Sequence, residues 1–456
     1  MNSVLAQLNS GLDDATSIAA SVQDGTRTAT EVLANAHDLG DKHNALVTEN
    51  WARAEQDAAE IDRRRAAGER LGPLAGVPMT VKDVIAVAGI KATAASRAFA
   101  DNIAAVTAPV VARLIAADAI VIGKTNCPEF AFGTTCSSPL LGTTGNPRYP
   151  DRSPGGSSGG EAAALAAGVS ALGIGTDFGG SLRWPAQCVG ITSLRPTAGR
   201  LAQQGQLPGA AGDMTGASAP TGMQGWVQTI GPLARSVRDL ALVFEILAGP
   251  APARGTTPLR IAWSDGSALG PVRKEVTALL TDLAARLASN GHQVTEHRVL
   301  FADCLPAYNR LRDVDPMRDH LAAIAGREHL ITAQNRATIE NSVRATTFEL
   351  YEAEAVARTI QRQALGIFAN HDIVLLPVAG GPACDPDGQL DIDGTLSGGW
   401  ELMAQCRAVS LTGAPVVSLP VGLSSEGWPL SVQIIAAPQQ DWLALAFAAE
   451  LEQCTG

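Results

Sequence analysis

The sequence has no apolar run of bilayer length. Its most membrane-like stretch, AAALAAGVSALGIG from Ala162 to Gly175, is rich in alanine and glycine and falls short of the roughly 18 apolar residues a spanning helix needs. It reads instead as a buried helix running into a strand. Cysteine is scarce: there are 7, an odd number, with no C-x-x-C pair and no Cys/His spacing suited to zinc, so structural disulfides and a metal site are both disfavoured. No basic patch offsets the formal net charge of -11, so a polyanion such as nucleic acid would be repelled. The opening stretch, MNSVLAQLNSGLDDATSIAAS, carries Asp13 and Asp14 and no basic region, so it does not read as a signal peptide and a cytoplasmic location is the expectation. No internal repeat is visible. Charged residues make up only 17% and hydrophobic residues 46%, which is too apolar for a disordered chain and enough for a sizeable core.

What is present is a rhythm of helices and buried strands. Residues 44 to 67, NALVTENWARAEQDAAEIDRRRAA, hold helix formers without Gly or Pro, and predict one long amphipathic helix. In GPLAGVPMTVKDVIAVAGI the turn residues Gly72, Pro73, Gly76 and Pro78 give way to a β-branched run that delivers Lys82 to the end of a short strand. Ala108 to Asn126 reads as helix then strand, and its AIVIG is the continuous apolar run of a parallel strand buried on both faces. The pattern returns at LRIAWS, at a helix over 271–291 and at HQVTEH, and again at DIVLLPVAGGP, APVVSLPVGL and PLSVQIIAA before a closing helix from Trp442 to Gln453. One large α/β domain accounts for all of it, with a central mixed, mostly parallel twisted sheet flanked by helices. Within it, 1–70 is expected to be a helical segment packed on the core, 71–250 the part that carries the motifs below, and 251–456 the remainder, including a helical region at about 300–370. Two long Gly-rich connections, 203–225 and 384–400, stand out as candidate lids. The Asp-Pro-Asp-Gly and Asp-Ile-Asp-Gly pieces of the second lack a calcium loop's ligand set and are better read as turns.

Chemistry concentrates in two serine loops. RSPGGSSGGEAAALAAG, Arg152 to Gly168, contains Gly155-x-Ser157-x-Gly159, but a nucleophile elbow needs a strand just before the serine and RYPDRSP is a poor one. The 7 histidines lie in charged or polar surroundings with no triad context, so another base is needed. In TDFGGSLRWPAQCVG, Thr176 to Gly190, two glycines before a serine let successive N–H groups turn toward one point, as an oxyanion hole requires. Ser181 is the better nucleophile candidate. Cys127, Cys136 and Cys188 read as buried small hydrophobes.

Taken together, Lys82 in GVPMTVKDV, the GGSSGG loop and TDFGGSLRWPAQCVG resemble the amidase signature family of serine hydrolases, which use a Ser-cisSer-Lys triad. The likeness continues through IGPLARSVRDL, DIVLLP and APVVSLPVG. It implies Ser181 as nucleophile, Ser157 as a bridging serine on a cis peptide after Gly156, and Lys82 as base. It also implies an oxyanion hole of the N–H groups of Phe178, Gly179, Gly180 and Ser181, with Ser158, Asp177 and Arg183 bracing the loops. Only the resemblance prefers Ser157 over Ser158. To act as base, Lys82 must be neutral, and burial behind VPMTV is the desolvation that achieves this; Asp83 should face the opposite side of the strand. Ala131, Phe132 and Gly133 are expected at the substrate, with Phe132, Met214, Met223 and Trp226 making the pocket apolar. The expected substrate is therefore a small aryl or alkyl amide, with carbamates or aryl esters as the alternative. The stretch after GRLAQQ does not resemble the glutamine-binding region of tRNA-dependent amidotransferases, which disfavours that role. No cofactor is expected, no membrane or nucleic-acid partner, and a monomer or homodimer.

Overall fold

Apolar, β-branched runs become the strands of one sheet. The computed structural model describes residues 3–252 and 258–454. Its main sheet has 11 strands: β1 Leu46–Glu49, β2 Pro78–Lys82, β3 Ile120–Thr125, β4 Leu172–Asp177, β5 Thr192–Arg195, β6 Thr229–Ala234, β7 Arg260–Trp263, β8 Gln293–Glu296, β9 Ile373–Pro377, β10 Val416–Leu423 and β11 Pro429–Ala436. The spatial order is β1-β3-β2-β4-β6-β5-β10-β11-β9-β7-β8.

The sheet is mixed, as expected, but mostly antiparallel. Parallel pairing is confined to β2 with β3 and β4, and to β7 with β8 and β9. From β4 across to β9 every neighbouring pair runs antiparallel. The reason the sequence misleads is physical. An unbroken apolar run reports burial on both faces, and the central strands β4, β6 and β11 are buried throughout whichever way their neighbours run. A second correction concerns the N-terminal helix. Its first residues peel off as β1, an edge strand antiparallel to β3, and the helix proper is Trp51–Ala66. Leu46, Val47 and Thr48 favour a pleated edge over a helix.

Two helices matter most for function, Gly159–Ala166 and Arg183–Val189; every residue of both is buried. Each follows one of the serine loops. The region expected to be helical holds Cys304–Val314, Arg318–Ile324, Ala333–Ser342 and Thr347–Leu365. The 384–400 connection folds into a hairpin, Gln389–Ile392 with Thr395–Gly398, turned by Asp393 and Gly394 at φ 50 and 90. Among the described residues no helix is long and apolar enough to cross a membrane.

Candidate active site

Parallel pairing of β2 with β4, Val81 opposite Ile174, brings the carboxyl ends of both strands to one edge of the sheet. Lys82 ends the first and Asp177 the second. The loop leading into Gly159–Ala166 lies across these ends. Lys82 Nζ is 2.6 Å from Ser157 Oγ, 3.0 Å from Ser158 Oγ and 3.0 Å from Thr176 Oγ1. The Gly156–Ser157 peptide is cis. Only glycine fits before it, because a Cβ on Gly156 would sit 2.4 Å from the Thr135 carbonyl oxygen and 2.9 Å from that of Gly133. The Ser158 N–H donates to the Ser181 carbonyl at 3.2 Å, which ties the two serine loops together.

Burial is the dominant force on the lysine. It pulls the Lys82 ammonium from 10.5 down to about 8, against the opposing influence of Cys127, Cys136, Asp177 and Glu161. Asp83 faces elsewhere, as expected, and accepts from Thr93 N and Oγ1 and from Ala95 N. Behind the lysine, Glu161 accepts from Thr80 Oγ1 at 2.5 Å and Thr125 Oγ1 at 2.6 Å, and burial raises its carboxyl to about 7.

Asp177 anchors the second loop. Burial alone would raise its carboxyl, but the guanidiniums of Arg183 and Arg195 outweigh that and hold it well below the usual carboxylate range. Arg183 grips it with Nε at 3.0 Å and Nη2 at 2.9 Å, while Arg195 Nη1 donates to its carbonyl at 2.6 Å. Asp177 in turn takes the N–H of Gly180 at 2.8 Å and of Leu182 at 3.1 Å. The resemblance puts Gly180 among the oxyanion donors, yet its N–H is committed to this carboxylate. The N–H groups of Phe178, Gly179 and Ser181 have no internal acceptor among the described residues and remain for a ligand. Arg195, on β5, has nothing near it in the sequence to mark it; only the pairing of strands brings it here.

Ser157, Thr176, Phe178, Gly179 and Ser181 all face a cavity of about 590 Å³, whereas Ser158 does not line it. Of the expected substrate residues, Ala131 and Phe132 line the cavity. Gly133 does not; it packs on Pro128 and beneath Gly156. Met214, Met223 and Trp226 are also absent from its wall, the first two packed into core and Trp226 covered by the Arg358 guanidinium at 4.5 Å. The wall is more polar than expected, carrying Gln228, Arg312, Asn335 and Arg407 beside Phe130, Tyr308 and Trp400. His320 also reaches it, a histidine that no motif singles out. Its ring lies 5.0 Å from that of Phe132, and burial pushes it down to about 3, so it stays neutral.

A lysine whose charged form burial disfavours, two serines, and free N–H groups opening on one cavity at the edge of an α/β sheet are the equipment of an acyl-cleaving hydrolase. The chain belongs to the amidase family, whose model matches residues 27–445. It is 32% identical over 468 residues to the indoleacetamide hydrolase of Bradyrhizobium diazoefficiens, covering 98% of this chain and 86% of that protein. It is 33% identical over 442 residues to a glutamyl-tRNA(Gln) amidotransferase component of Symbiobacterium thermophilum, covering 87% of this chain and 87% of that one. A crystal structure of an amidase superposes with a TM-score of 0.87 at 28% identity, over 97% of this chain and 100% of that one.

Proposed function

We propose that this protein hydrolyses the C–N acyl bond of a small aryl or alkyl amide through an acyl-enzyme on Ser181. The observation that carries the reading is the contact of a fully buried Lys82 with Ser157 at 2.6 Å, on the floor of the cavity that Ser181 also lines. Neutral Lys82 takes the proton of Ser157, Ser157 takes that of Ser181, and Ser181 Oγ adds to the carbonyl carbon. The developing oxyanion accepts from the N–H groups of Phe178, Gly179 and Ser181. As the tetrahedral species collapses and the C–N bond breaks, the proton returns through Ser157 to the departing amine. Water then adds to the acyl-enzyme by the same relay in reverse and frees the acid. A carbamate or aryl ester presents the same carbonyl to the same groups, and is the alternative substrate.

The aromatic side chains around the cavity and the 32% identity to an enzyme acting on indoleacetamide both support an aryl-bearing amide. The test is hydrolysis of 4-nitroacetanilide, its ethyl carbamate analogue and 4-nitrophenyl acetate by wild type and Ser181→Ala. Anilide turnover abolished in the variant is expected; equal rates in the two proteins would sink the assignment of Ser181. The protein is proposed to act alone, as monomer or homodimer. Light scattering that found a stoichiometric foreign chain would favour an amidotransferase component instead.

A further inference from the structure

Two guanidiniums reach into the cavity with no acid among the described residues in ion-pair contact. Arg407, on the helix Ala404–Leu411, packs its stem against the loop of free N–H groups, since a Cβ on Gly179 would lie 3.0 Å from Arg407 Cγ. Its Nη2 donates to Asn309 Oδ1, and its guanidinium carbon sits 5.2 Å from the Tyr308 ring centre and 5.8 Å from that of Trp400. Arg312, on Cys304–Val314, lies 5.6 Å from the Phe132 ring centre and its Nη1 contacts Met317 Sδ at 3.3 Å. Among the described residues neither arginine forms an ion pair. Acids are present on the wall, but Asp319 is taken up by the N–H groups of Ala211 and Thr221 and the Thr221 hydroxyl. Asp315 is buried, which raises its carboxyl against the opposing charge of Arg312, Asp313 is exposed, and Glu354 is half-buried. Burial pulls the Arg407 guanidinium below its ordinary value; the Tyr308 phenol and the charge of Asp313 oppose this, and the charge of Arg312 adds to it.

Half-buried like charges with neutral partners are an unfavourable arrangement for an empty or apolar-filled cavity, and a favourable one for an anion. Guanidinium forks match a carboxylate in geometry as well as charge. We propose that the substrate of this site is an amide that also bears a carboxylate on its aryl or alkyl body, and that Arg407 and Arg312 are the specificity residues that hold it. This rests on the amidase reading above and narrows it. Phe132, Tyr308 and Trp400 supply flat faces beside the two cations for the body of such a molecule.

Binding tests the idea independently of turnover. Calorimetry on Ser181→Ala compares N-(4-nitrophenyl)succinamate with neutral N-(4-nitrophenyl)butanamide, and 5-acetamido-2-nitrobenzoate with 4-nitroacetanilide. The first pair puts the carboxylate on the acyl half, the second on the amine half. At least one acid should bind about tenfold or more tighter than its neutral counterpart, as expected for hydrogen bonds to a charged group. In the Ser181→Ala background, Arg407→Gln and Arg312→Gln should each bring that ratio toward one, and Arg407→Lys should retain part of it. No acid preference in either pair, or a preference that survives both glutamine variants, overturns the proposal. Hydrolysis of all four by wild type is measured alongside. An acid preference in binding with no hydrolysis of any probe would defeat the amidase reading and leave the carboxylate site standing; hydrolysis without acid preference would do the reverse.

Discussion

At the scale of single residues the decisive quantity is the protonation of Lys82. Burial favours its neutral form, bringing its midpoint from 10.5 to about 8, and only the neutral amine can take a proton from Ser157. The expected consequence is that kcat/KM rises with pH, with a midpoint near 8, and levels off above it. A rise centred near the ordinary histidine value of about 6.5 would mean that some other group is the base. The same geometry separates the two neighbouring serines. Both approach Nζ, but only Ser157 also lines the cavity. Ser157→Ala should lower kcat by roughly 10²- to 10⁴-fold, the span of a lost proton-transfer group, and Ser158→Ala by less than about tenfold. The reverse order in steady-state kinetics would transfer the relay to Ser158. Lys82, Ser157 and Ser181 are legible in the sequence only as a set, because the strand and the two serine loops together resemble a family, and that resemblance alone separates Ser157 from Ser158. Arg195, Arg312, Arg407 and His320 are not, since an arginine or histidine acquires meaning here only when a distant strand or helix carries it to the site.

At the scale of elements, intrinsic preference and tertiary packing make opposite forecasts that can be measured. The helix Gly159–Ala166 opens on two glycines, and helix propensity alone says Gly160→Ala should stabilise by about 1 kcal/mol. Yet a Cβ there would fall 2.5 Å from both the backbone N and O of Asn126, just beyond β3. The variant should therefore lose about 1 to 3 kcal/mol, the usual range for overpacking. Gly366 is the control: its φ of -57 is helical and its would-be Cβ meets nothing within 4 Å, so Gly366→Ala should gain up to about 1 kcal/mol. Denaturant midpoints for the pair decide the matter; a Gly160→Ala protein as stable as the control would show that the close approach to Asn126 does not exist. Packing also explains which elements can be read in advance. β2, β3 and β9 are legible as buried strands from composition, but strand direction is a property of the connections and leaves no mark in an apolar run. β1 is hidden because four residues of edge strand leave too short a pattern to set against the helix that follows.

At the scale of the whole molecule, the site is a concentration of charge in the interior, and the fold carries it at the expense of stability. Lys82, Lys124, Asp83, Glu161, Asp177, Arg183 and Arg195 are all fully buried. The arginines are matched by Asp177, but Lys82 has only hydroxyls within hydrogen-bond reach. Its shift from 10.5 to about 8 is therefore a destabilising term, of about 3 kcal/mol at 1.36 kcal/mol per unit. Below pH 8 the lysine is protonated both folded and unfolded, so the folded state bears this penalty in full. Between 8 and 10.5 the folded lysine is neutral while the unfolded one is still charged, and the penalty fades with rising pH. Lys82→Met removes the titration while filling similar space. Its stability relative to wild type should be most favourable at pH 7 and should fall by about 3 kcal/mol by pH 10.5, as read from urea unfolding of the two proteins at each pH. Groups that do not feel the Lys82 charge titrate alike in both proteins and cancel in the difference. A gap that did not change with pH would mean that the lysine reaches solvent, and the buried base on which the proposed catalysis depends would fall with it.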